Sequence, residues 1–412
     1  MAIQPFSYAR KKKILVLISR GGGGHRSAGE ALQEILGDSY DVEINYVFQD
    51  ILKSVDTLHF LTQGKFTGED LYNFLLKNNQ KNLLRWMINH GKKVMRSAPI
   101  KKAFDRFFEA LPELPDLIIS PTPMFNYGAA CSAQKYDIPF LILPTDLDGS
   151  TFLNGFPDMS THVNFKLALP YDDQEIRSRT LENKKLRDDQ ICVTGFPVKP
   201  SCTRKYSPHE KEQIRKAFHL SSSHKTVTLI MGAVGGKLLL SHLKSILALS
   251  PHEHGLQLEL NVCTGRNKKI AAKIDYYLIS NGAHRAPTGA YVMSSGMIIH
   301  VRGYLSNLAE LMAVSDLVIT KTGSCTVNEA IYLEKKVILD NTEQSTARYF
   351  AWEEFNIPFV EKYGLGLSFT DARQLPMLIA SLLKYPEKSG TLLERPPFEE
   401  NLRALVQSML GE

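Results

Sequence analysis

The sequence predicts an α/β protein made of two doubly wound domains, each a parallel sheet covered by helices on both faces. The main observation is that apolar runs of strand length alternate with segments of helical periodicity along most of the chain. A second observation is a break with two prolines at residues 196–200, which divides this alternation into two halves. Since 412 residues suffice for two domains, we expect a ligand cleft between the halves.

The first half begins with an apolar strand at residues 13–18, a glycine loop, and a helix with apolar spacing over residues 29–36. The four glycines 21–24 let the backbone pass close beneath a ligand. Their spacing matches neither the dinucleotide pattern GxGxxG nor the nucleoside-triphosphatase pattern GxxxxGK[ST]. His25 follows at the predicted helix start and faces the expected cleft, where it is either a general base or a structural histidine.

Asp146 follows a predicted strand at residues 140–143, at the carboxyl end where ligand-facing residues gather in open α/β sheets. Asp146-Leu-Asp148 also matches the DxD pattern of metal-dependent sugar transferases. A match of three residues with one free position is common by chance, so we predict no metal site. The other strands predicted in this half lie at residues 41–48, 116–120 and 191–195. Residues 49–80 have no clear assignment.

The net charge of +6 is concentrated in residues 81–108, which contain eight basic side chains and one acidic side chain. Gly91 and Pro99 divide this segment into short predicted helices. A cationic face opposite Trp and Phe is typical of a helix that lies on an anionic lipid surface. The alternative is a solvated helix face packed on a domain. We do not predict nucleic-acid binding, because no nucleic-acid-binding motif accompanies the charge.

The second half repeats the layout, with a strand at residues 226–231, a glycine loop at 232–237 and a helix at 238–249. The remaining strands are predicted at residues 256–263, 297–301, 316–320 and 336–339. The remaining helices are predicted at residues 208–220, 268–280, 306–314, 371–384 and 398–410. Residues 281–296 are rich in Gly and Ser and predict a loop.

Residues 321–329, Lys-Thr-Gly-Ser-Cys-Thr-Val-Asn-Glu, form a small-residue loop between a buried strand and a helix. Unpaired backbone N–H groups and the positive end of the helix dipole favour an anion there, and a diphosphate suits that place. Glu329 lies about one turn into the helix, where its carboxylate can accept hydrogen bonds from a ribose diol. The alternative for this stretch alone is an ordinary strand-to-helix turn.

Five scattered cysteines without a CxxC pair predict reduced thiols in a cytosolic setting, with neither a disulfide framework nor a zinc site. The basic start of the chain is not followed by the apolar region of a signal peptide, so we predict none. No window approaches the length and apolarity of a membrane span, and we therefore expect at most surface contact with a bilayer.

Two stretches taken together resemble a known family. Gly22-Gly-Gly-His25-Arg26-Ser27-Ala28 is similar to the signature of monogalactosyldiacylglycerol synthases and bacterial processive diacylglycerol glucosyltransferases. The second half resembles the same family at residues 193–198, 303–304, 307–312 and 315–321, and at Gly323, Thr326, Glu329 and Gln344. The likeness covers most of the chain except about residues 49–110 and 281–296.

The resemblance implies a GT-B glycosyltransferase of family 28 that inverts the anomeric configuration and uses a UDP-hexose donor without a cofactor. It implies an N-terminal acceptor domain over residues 1–200, a UDP-sugar-binding domain over 201–375, and C-terminal helices over 376–412 that cross back to the first domain. The acceptor is diacylglycerol or a similar lipid. The protein is expected on the cytoplasmic face of a membrane, bound peripherally to the anionic surface through residues 81–108.

The same resemblance implies roles for individual residues. His25 is the implied general base, and Asp146 is grouped with it as catalytic. The residues implied to bind the UDP-sugar are Gly23, Gly24, Gly232, Gly235, Gly303, Tyr304, Lys321, Gly323, Ser324, Thr326, Glu329 and Gln344. In this set Gly303 and Tyr304 are implied near the uracil, and Gly323, Ser324 and Thr326 at the phosphates. Glu329 is implied at the ribose, and Gln344 by the sugar.

The sequence departs from the family pattern in ways that leave alternatives open. The family's Lys-Pro-Gly-Gly is Lys321-Thr-Gly-Ser here, and the stretch after Asp340 is shorter than the family's Pro-Gly-Gln-Glu run. The rival enzymes are a peptidoglycan N-acetylglucosaminyltransferase with a polyprenyl-linked sugar acceptor and a sugar-nucleotide epimerase of the same fold. A rival of another class is a lipid-binding protein that has lost catalysis.

Overall fold

The computed structural model describes residues 10–21, 23–78, 80–156, 164–182, 186–232, 236–249, 255–342, 350–384 and 393–412. The strands of the first half are β1 (Lys13–Ile18), β2 (Asp41–Tyr46), β3 (Leu117–Ser120), β4 (Phe140–Ile142), β5 (Phe165–Leu169) and β6 (Ile191–Val193). They form a parallel sheet in the order β2-β1-β3-β4-β5-β6. The order reverses between β1 and β3, so the loops that follow these two strands lie side by side at a topological switch point.

The helices of the first half include five between β2 and β3, two of which have only four and five residues. They are α1 (Gly23–Leu36), α2 (Val47–Asp50), α3 (Thr57–Leu61), α4 (Gly68–Lys77), α5 (Lys81–Val94), α6 (Ala98–Ala110), α7 (Asn126–Lys135) and α8 (Gln174–Leu181). Gly91 does not interrupt α5, which ends only at Val94, whereas Pro99 lies in the first turn of α6 as expected.

The strands of the second half are β7 (Lys225–Ile230), β8 (Leu258–Gly265), β9 (His284–Arg285), β10 (Tyr291–Val292), β11 (Ile298–Gly303), β12 (Leu317–Lys321), β13 (Lys336–Asp340) and β14 (Gly366–Phe369). Their order is β14-β13-β12-β7-β8-β11-β10-β9. The pairs from β14 to β11 are parallel, and β9 and β10 add an antiparallel edge. This sheet has its switch point between β7 and β12, so the loops after them are neighbours.

The helices of the second half are α9 (Pro200–Thr203), α10 (Pro208–Ala217), α11 (Gly236–Leu247), α12 (Lys268–Ser280), α13 (Leu308–Ala313), α14 (Ser324–Tyr332), α15 (Ala351–Glu354), α16 (Asn356–Lys362), α17 (Leu375–Lys384) and α18 (Phe398–Leu410). The predicted class, two parallel sheets with alternating helices, is confirmed. The prediction of a loop over residues 281–296 was wrong, because β9 and β10 form a hairpin there. Strands of two residues are too short for periodicity to reveal.

The two domains are joined by packing as well as by the chain. The buried Tyr171 ring, which follows β5, lies 5.3 Å from the ring of Phe359 in α16, and its hydroxyl donates to Asn328 in α14 at 2.7 Å. Asp173 accepts a hydrogen bond from Lys362 at 2.7 Å and another from Tyr363. These contacts fix the first domain to α14 and α16 of the second domain along one side of the cleft.

The last two helices belong to different domains. Leu375 and Ile379 of α17 lie in the core of the second sheet. Phe398, Leu402 and Val406 of α18 instead pack with the first sheet, and all three are fully buried. Of the two helices that the structure describes in the segment 376–412, α18 packs on the first sheet and α17 on the second.

We predict that Leu402→Ala lowers the free energy of unfolding by about 3 kcal/mol, because it leaves a cavity beneath β1 and β3. The measurement is the urea midpoint of the first domain. Gln407→Ala on the exposed side of α18 is the matched control and should shift the midpoint little. Equal shifts for the two variants would show that α18 does not contribute to this core.

Candidate functional site

The two switch points face each other where α1 and α14 begin. A Cβ atom on Gly24 would lie 2.6 Å from Sγ of Cys325, so only glycine permits this close approach between the domains. A Cβ atom on Gly23 would have no other atom within 4 Å. Of the two predicted glycines of the first loop, Gly24 is thus in contact with the opposite domain, and Gly23 borders open space.

His25 lies one residue further into α1, and the hydrogen-bond partners of its ring belong to the first domain. Nδ1 lies 3.0 Å from the carbonyl oxygen of Pro121 and 3.1 Å from the hydroxyl of Thr145. A carbonyl oxygen can only accept, so Nδ1 carries the proton and Nε2 keeps its lone pair. Burial lowers the pKa of His25 to about 4, against a smaller opposing effect of the Pro121 carbonyl. The imidazole is therefore neutral at pH 7, with Nε2 able to accept a proton.

Asp146 connects the two domains at the same place. Its Oδ1 accepts a hydrogen bond of 2.9 Å from the hydroxyl of Ser324, the first residue of α14. Burial raises the pKa of Asp146 to about 7, and the nearby Glu353 and Asp148 add to this while the Ser324 bond opposes it. Asp148 accepts from the backbone N–H of Ser150 at 3.0 Å and so caps a short 3₁₀ turn. The two aspartates of the DxD pattern therefore have different surroundings: Asp146 lies in the cleft, and Asp148 caps a 3₁₀ turn.

The amino end of α14 has the features of an anion site. Gly323 is the N-cap, and among the described residues no capping side chain accepts from the first N–H groups of the helix. The Ser324 hydroxyl is occupied by Asp146 and by Asn356 Nδ2, which lies 3.0 Å away. Thr326 is partly exposed in the first turn. Of the two predicted hydroxyls, Thr326 is the one for which the described residues provide no hydrogen bond.

Glu329 lies on the cleft side of α14 and faces the first domain. Its carboxyl accepts a hydrogen bond from Ser27, two residues after His25. Burial raises the pKa of Glu329 to about 7, while the ammonium of Lys199 and the Ser27 bond act in the opposite direction. Lys199 itself bonds Glu30 of α1 at 2.6 Å. The carboxyl predicted to bind a ribose is thus in the cleft, in contact with α1.

The side chain of Lys321 lies on the second-domain side of the cleft, beside Glu353 and the two glycines 232 and 323. Its Nζ lies 3.1 Å from Oε1 of Glu353 in α15, and both side chains are mostly buried. The Lys321 chain passes so close to the two glycine loops that a Cβ would lie 2.9 Å from its Cε at Gly323 and 3.3 Å at Gly232. Gly232 also has a φ of +64°, which favours glycine. These predicted residues therefore form one group between β7 and β12.

Gly303 and Tyr304 lie at the rim. The ring of Tyr304 is 62% exposed, and the guanidinium of Arg266 stacks over it at 4.4 Å. This pair offers a flat surface of the kind on which a planar base can stack. Gly235 and Gln344, the other two predicted donor residues, lie outside the described residues.

Sequence reasoning missed several residues of the site. The chief ones are Ser27, Thr145 and Lys199, which contact the predicted residues, and Glu69 and Tyr72 from α4. Thr145 precedes Asp146 at a strand end, which is a signal that could have found it. Among the described residues no group of three His, Cys, Asp or Glu side chains is arranged to hold a metal ion.

An exposed apolar surface adjoins the cleft on the side of α3, α4 and α5. Its members are large side chains that are about half exposed or more: Phe60, Leu61, Phe74, Leu83, Trp86 and Val94. Basic side chains of α5 and α6 lie in the same segment. Phe104 and Phe108, which were expected on an exposed face opposite the basic side chains, are instead buried in the domain core. Part of this exposed apolar surface therefore comes from residues 49–80, which the sequence pattern left unassigned.

Within the described ranges, no helix combines the length and apolarity needed to cross a bilayer.

Comparisons with known proteins agree with this geometry. Residues 226–346 match the model of the glycosyltransferase family 28 C-terminal domain. The chain is 26% identical over 400 residues to the chloroplastic monogalactosyldiacylglycerol synthase of Spinacia oleracea, covering 92% of this chain and 67% of that protein. The chain spans about two thirds of the length of the curated relatives it matches, 64% in the next two.

Solved structures show the same fold at low identity. Acinetobacter baumannii MurG is 13% identical with a TM-score of 0.55, covering 97% of this chain and 100% of that chain. UDP-GlcNAc 2-epimerase from Neisseria meningitidis, bound to UDP-GlcNAc, is 14% identical with a TM-score of 0.54 over the same shares. The predicted GT-B architecture and the predicted resemblance to the glycosyltransferases of family 28 are confirmed.

Proposed function

We propose that the protein transfers a hexose from a UDP-sugar to the hydroxyl group of a lipid, with 1,2-diacylglycerol as the acceptor. The observation that carries this proposal is the position of a neutral imidazole opposite the uncapped amino end of α14. One side offers a proton acceptor for an alcohol, and the other offers backbone N–H groups for a diphosphate. Both requirements of a sugar transfer are thus met within a single cleft.

In the proposed reaction the acceptor oxygen attacks the anomeric carbon as the bond to the UDP oxygen breaks. Nε2 of His25 takes the proton of the acceptor hydroxyl, while Pro121 fixes the tautomer. The leaving diphosphate gathers negative charge, which the amino end of α14 and the ammonium of Lys321 stabilise. The diphosphate also raises the pKa of the nearby His25, which makes the imidazole a stronger base once the donor is bound.

The donor binds along the second sheet in this proposal. The diphosphate lies at α14 near Thr326, and the ribose lies at Glu329. The Glu329 carboxyl exchanges its hydrogen bond from Ser27 for hydrogen bonds from the ribose hydroxyls. The uracil stacks near the pair formed by Tyr304 and Arg266. Three separate contacts of this kind would fix the anomeric carbon relative to His25.

The acceptor reaches the cleft from the surface formed by α3 to α6. Exposed Trp86 and Leu83 with the neighbouring Lys93 match what an anionic bilayer surface attracts. Leu84, Leu75 and Phe350 pack beneath this surface and connect it to the second domain near Glu353. The protein is accordingly proposed to lie peripherally on the cytoplasmic face of a membrane.

We predict that His25→Ala lowers the turnover number by about a hundredfold or more, because it removes the base, while the affinity for UDP stays largely intact. Turnover is measured by product formation and UDP affinity by calorimetry. His209→Ala on the surface of α10 is the control and should leave both unchanged. Normal turnover of His25→Ala would remove His25 from the mechanism.

We predict that Asp146→Asn tightens binding of UDP-glucose at about pH 8 and has little effect at about pH 6. Above its pKa of about 7 the wild-type carboxylate repels the diphosphate, and below that pH the carboxyl is mostly protonated and neutral. The measurement is the ratio of the two dissociation constants across this range. Asp105→Asn on α6, whose carboxylate accepts from Ser132 of α7, should give a ratio of one throughout. A ratio for Asp146→Asn that does not change with pH would contradict its position beside the phosphates.

We predict that neutralising Lys92, Lys93, Lys101 and Lys102 to Gln weakens binding to anionic vesicles, and more so at low salt, where these charges are least screened. Trp86→Ala should weaken binding at all salt concentrations, since its contribution is apolar. Vesicle sedimentation measures both effects. Lys268→Gln with Lys269→Gln, two exposed lysines of α12, is the control. Unchanged binding by both test proteins would exclude this surface as the membrane contact.

A further inference from the structure

The N–H groups of Arg20 and Gly21, where the first glycine loop begins, already bond a carboxyl group of the chain itself. Glu69, in the first turn of α4, is only 5% exposed. Its Oε1 accepts from the backbone N–H of Gly21 at 2.6 Å, and the N–H of Arg20 is a further donor to the carboxyl. Its Oε2 accepts from Gln49 Nε2, also at 2.6 Å. Both carboxylate oxygens are therefore bonded beneath the loop.

Consecutive backbone N–H groups between a strand and a helix are a preferred place for phosphate groups. Here the carboxylate of Glu69 occupies such a pair of N–H groups, those of Arg20 and Gly21. An acceptor phosphate would have to displace a buried carboxylate that has three donors. The N–H groups of Arg20 and Gly21 are thus not free to bind an acceptor that carries a phosphate.

The same contact connects the loop of His25 to the exposed apolar surface. Tyr72, one turn after Glu69, packs against Gly21, with ring atoms 3.5 Å from where a Cβ would stand. Leu75 of α4 continues into the cluster that contains Leu84 of α5 and Phe350. The position of the glycine loop, and of His25 four residues after Gly21, therefore depends on α4.

We propose that Glu69 is a positioning and specificity-determining residue, whose carboxylate holds the His25 loop and excludes acceptors that carry a phosphate or diphosphate next to the reacting hydroxyl. The inference rests on the proposed transfer to a lipid, and it specifies which class of lipid acceptor the site excludes. A neutral alcohol such as a diacylglycerol places no anion in the loop. A polyprenyl diphosphate-linked sugar would place one there.

The test compares Glu69→Ala and Glu69→Gln with the wild type. Inorganic pyrophosphate is titrated into each protein by calorimetry in the presence of saturating UDP, which occupies the donor site. Glu69→Ala frees the two N–H groups and should bind pyrophosphate at least about tenfold more tightly than the wild type. Glu69→Gln keeps a carbonyl oxygen beneath the loop and should exclude pyrophosphate as the wild type does.

Activity provides a second readout. Glu69→Ala should lower the turnover number at least about tenfold with a nearly unchanged KM for the lipid, because His25 loses its position and the lipid surface remains. Glu69→Gln should restore most of the turnover. Asp70→Asn is the matched control, since Asp70 lies in the same turn and bonds only Thr67 among the described contacts.

Pyrophosphate binding that is equal in Glu69→Ala and the wild type would overturn the proposal. So would equal losses in Glu69→Ala and Asp70→Asn, because that result would mean that only the stability of α4 matters. Pyrophosphate binding is read without any transfer, so it tests Glu69 even in a protein that fails to glycosylate lipid. Failure of UDP itself to bind would count against the proposed function alone.

Discussion

The close contact between the amino ends of α1 and α14 is the constraint on which the site depends. Gly24 allows the two helices to approach, and the hydrogen bond from Ser27 to Glu329 connects them directly. A second hydrogen bond, from Ser324 to Asp146, connects α14 to the segment after β4 in the first domain. Each helix follows a strand at a switch point of its own sheet, so the GT-B architecture itself brings them together. The imidazole of His25 and the amino end of α14 consequently lie near each other without any long loop between them.

Burial in this contact changes the chemistry of its groups in opposite directions. The imidazole of His25 loses its proton more readily, while the carboxyls of Asp146 and Glu329 keep theirs up to about pH 7. The cleft thus reduces its own charge, and its carboxyls bond hydroxyls of the opposite domain. A UDP-sugar bound as proposed would replace the Ser27 contact of Glu329 with its ribose, and its phosphates would lie beside the Asp146 carboxyl.

The sequence was sufficient for the features that follow from local pattern. Apolar runs such as residues 13–18 and 316–320 revealed the sheets, and the small-residue loops after them revealed where His25 and Ser324 lie. The strand β5 was missed because Lys166 interrupts its apolar run, and β9 and β10 were missed because they are too short. Contacts such as Thr145 with His25, or Glu69 with Gly21, join residues 120 and 48 positions apart. No periodicity encodes such pairs, because tertiary packing alone brings them together.

The central claim is that one cleft joins an activated sugar to a lipid alcohol. The most direct measurement is to incubate the protein with several UDP-sugars and anionic liposomes that contain either diacylglycerol or a polyprenyl diphosphate-linked sugar, and to identify products by mass spectrometry. Our account predicts a hexosyl-diacylglycerol from at least one UDP-sugar and no product from the diphosphate-linked acceptor. Glycosylation of the diphosphate-linked acceptor alone, epimerisation of the nucleotide sugar in solution, or bound UDP without any glycolipid would contradict it.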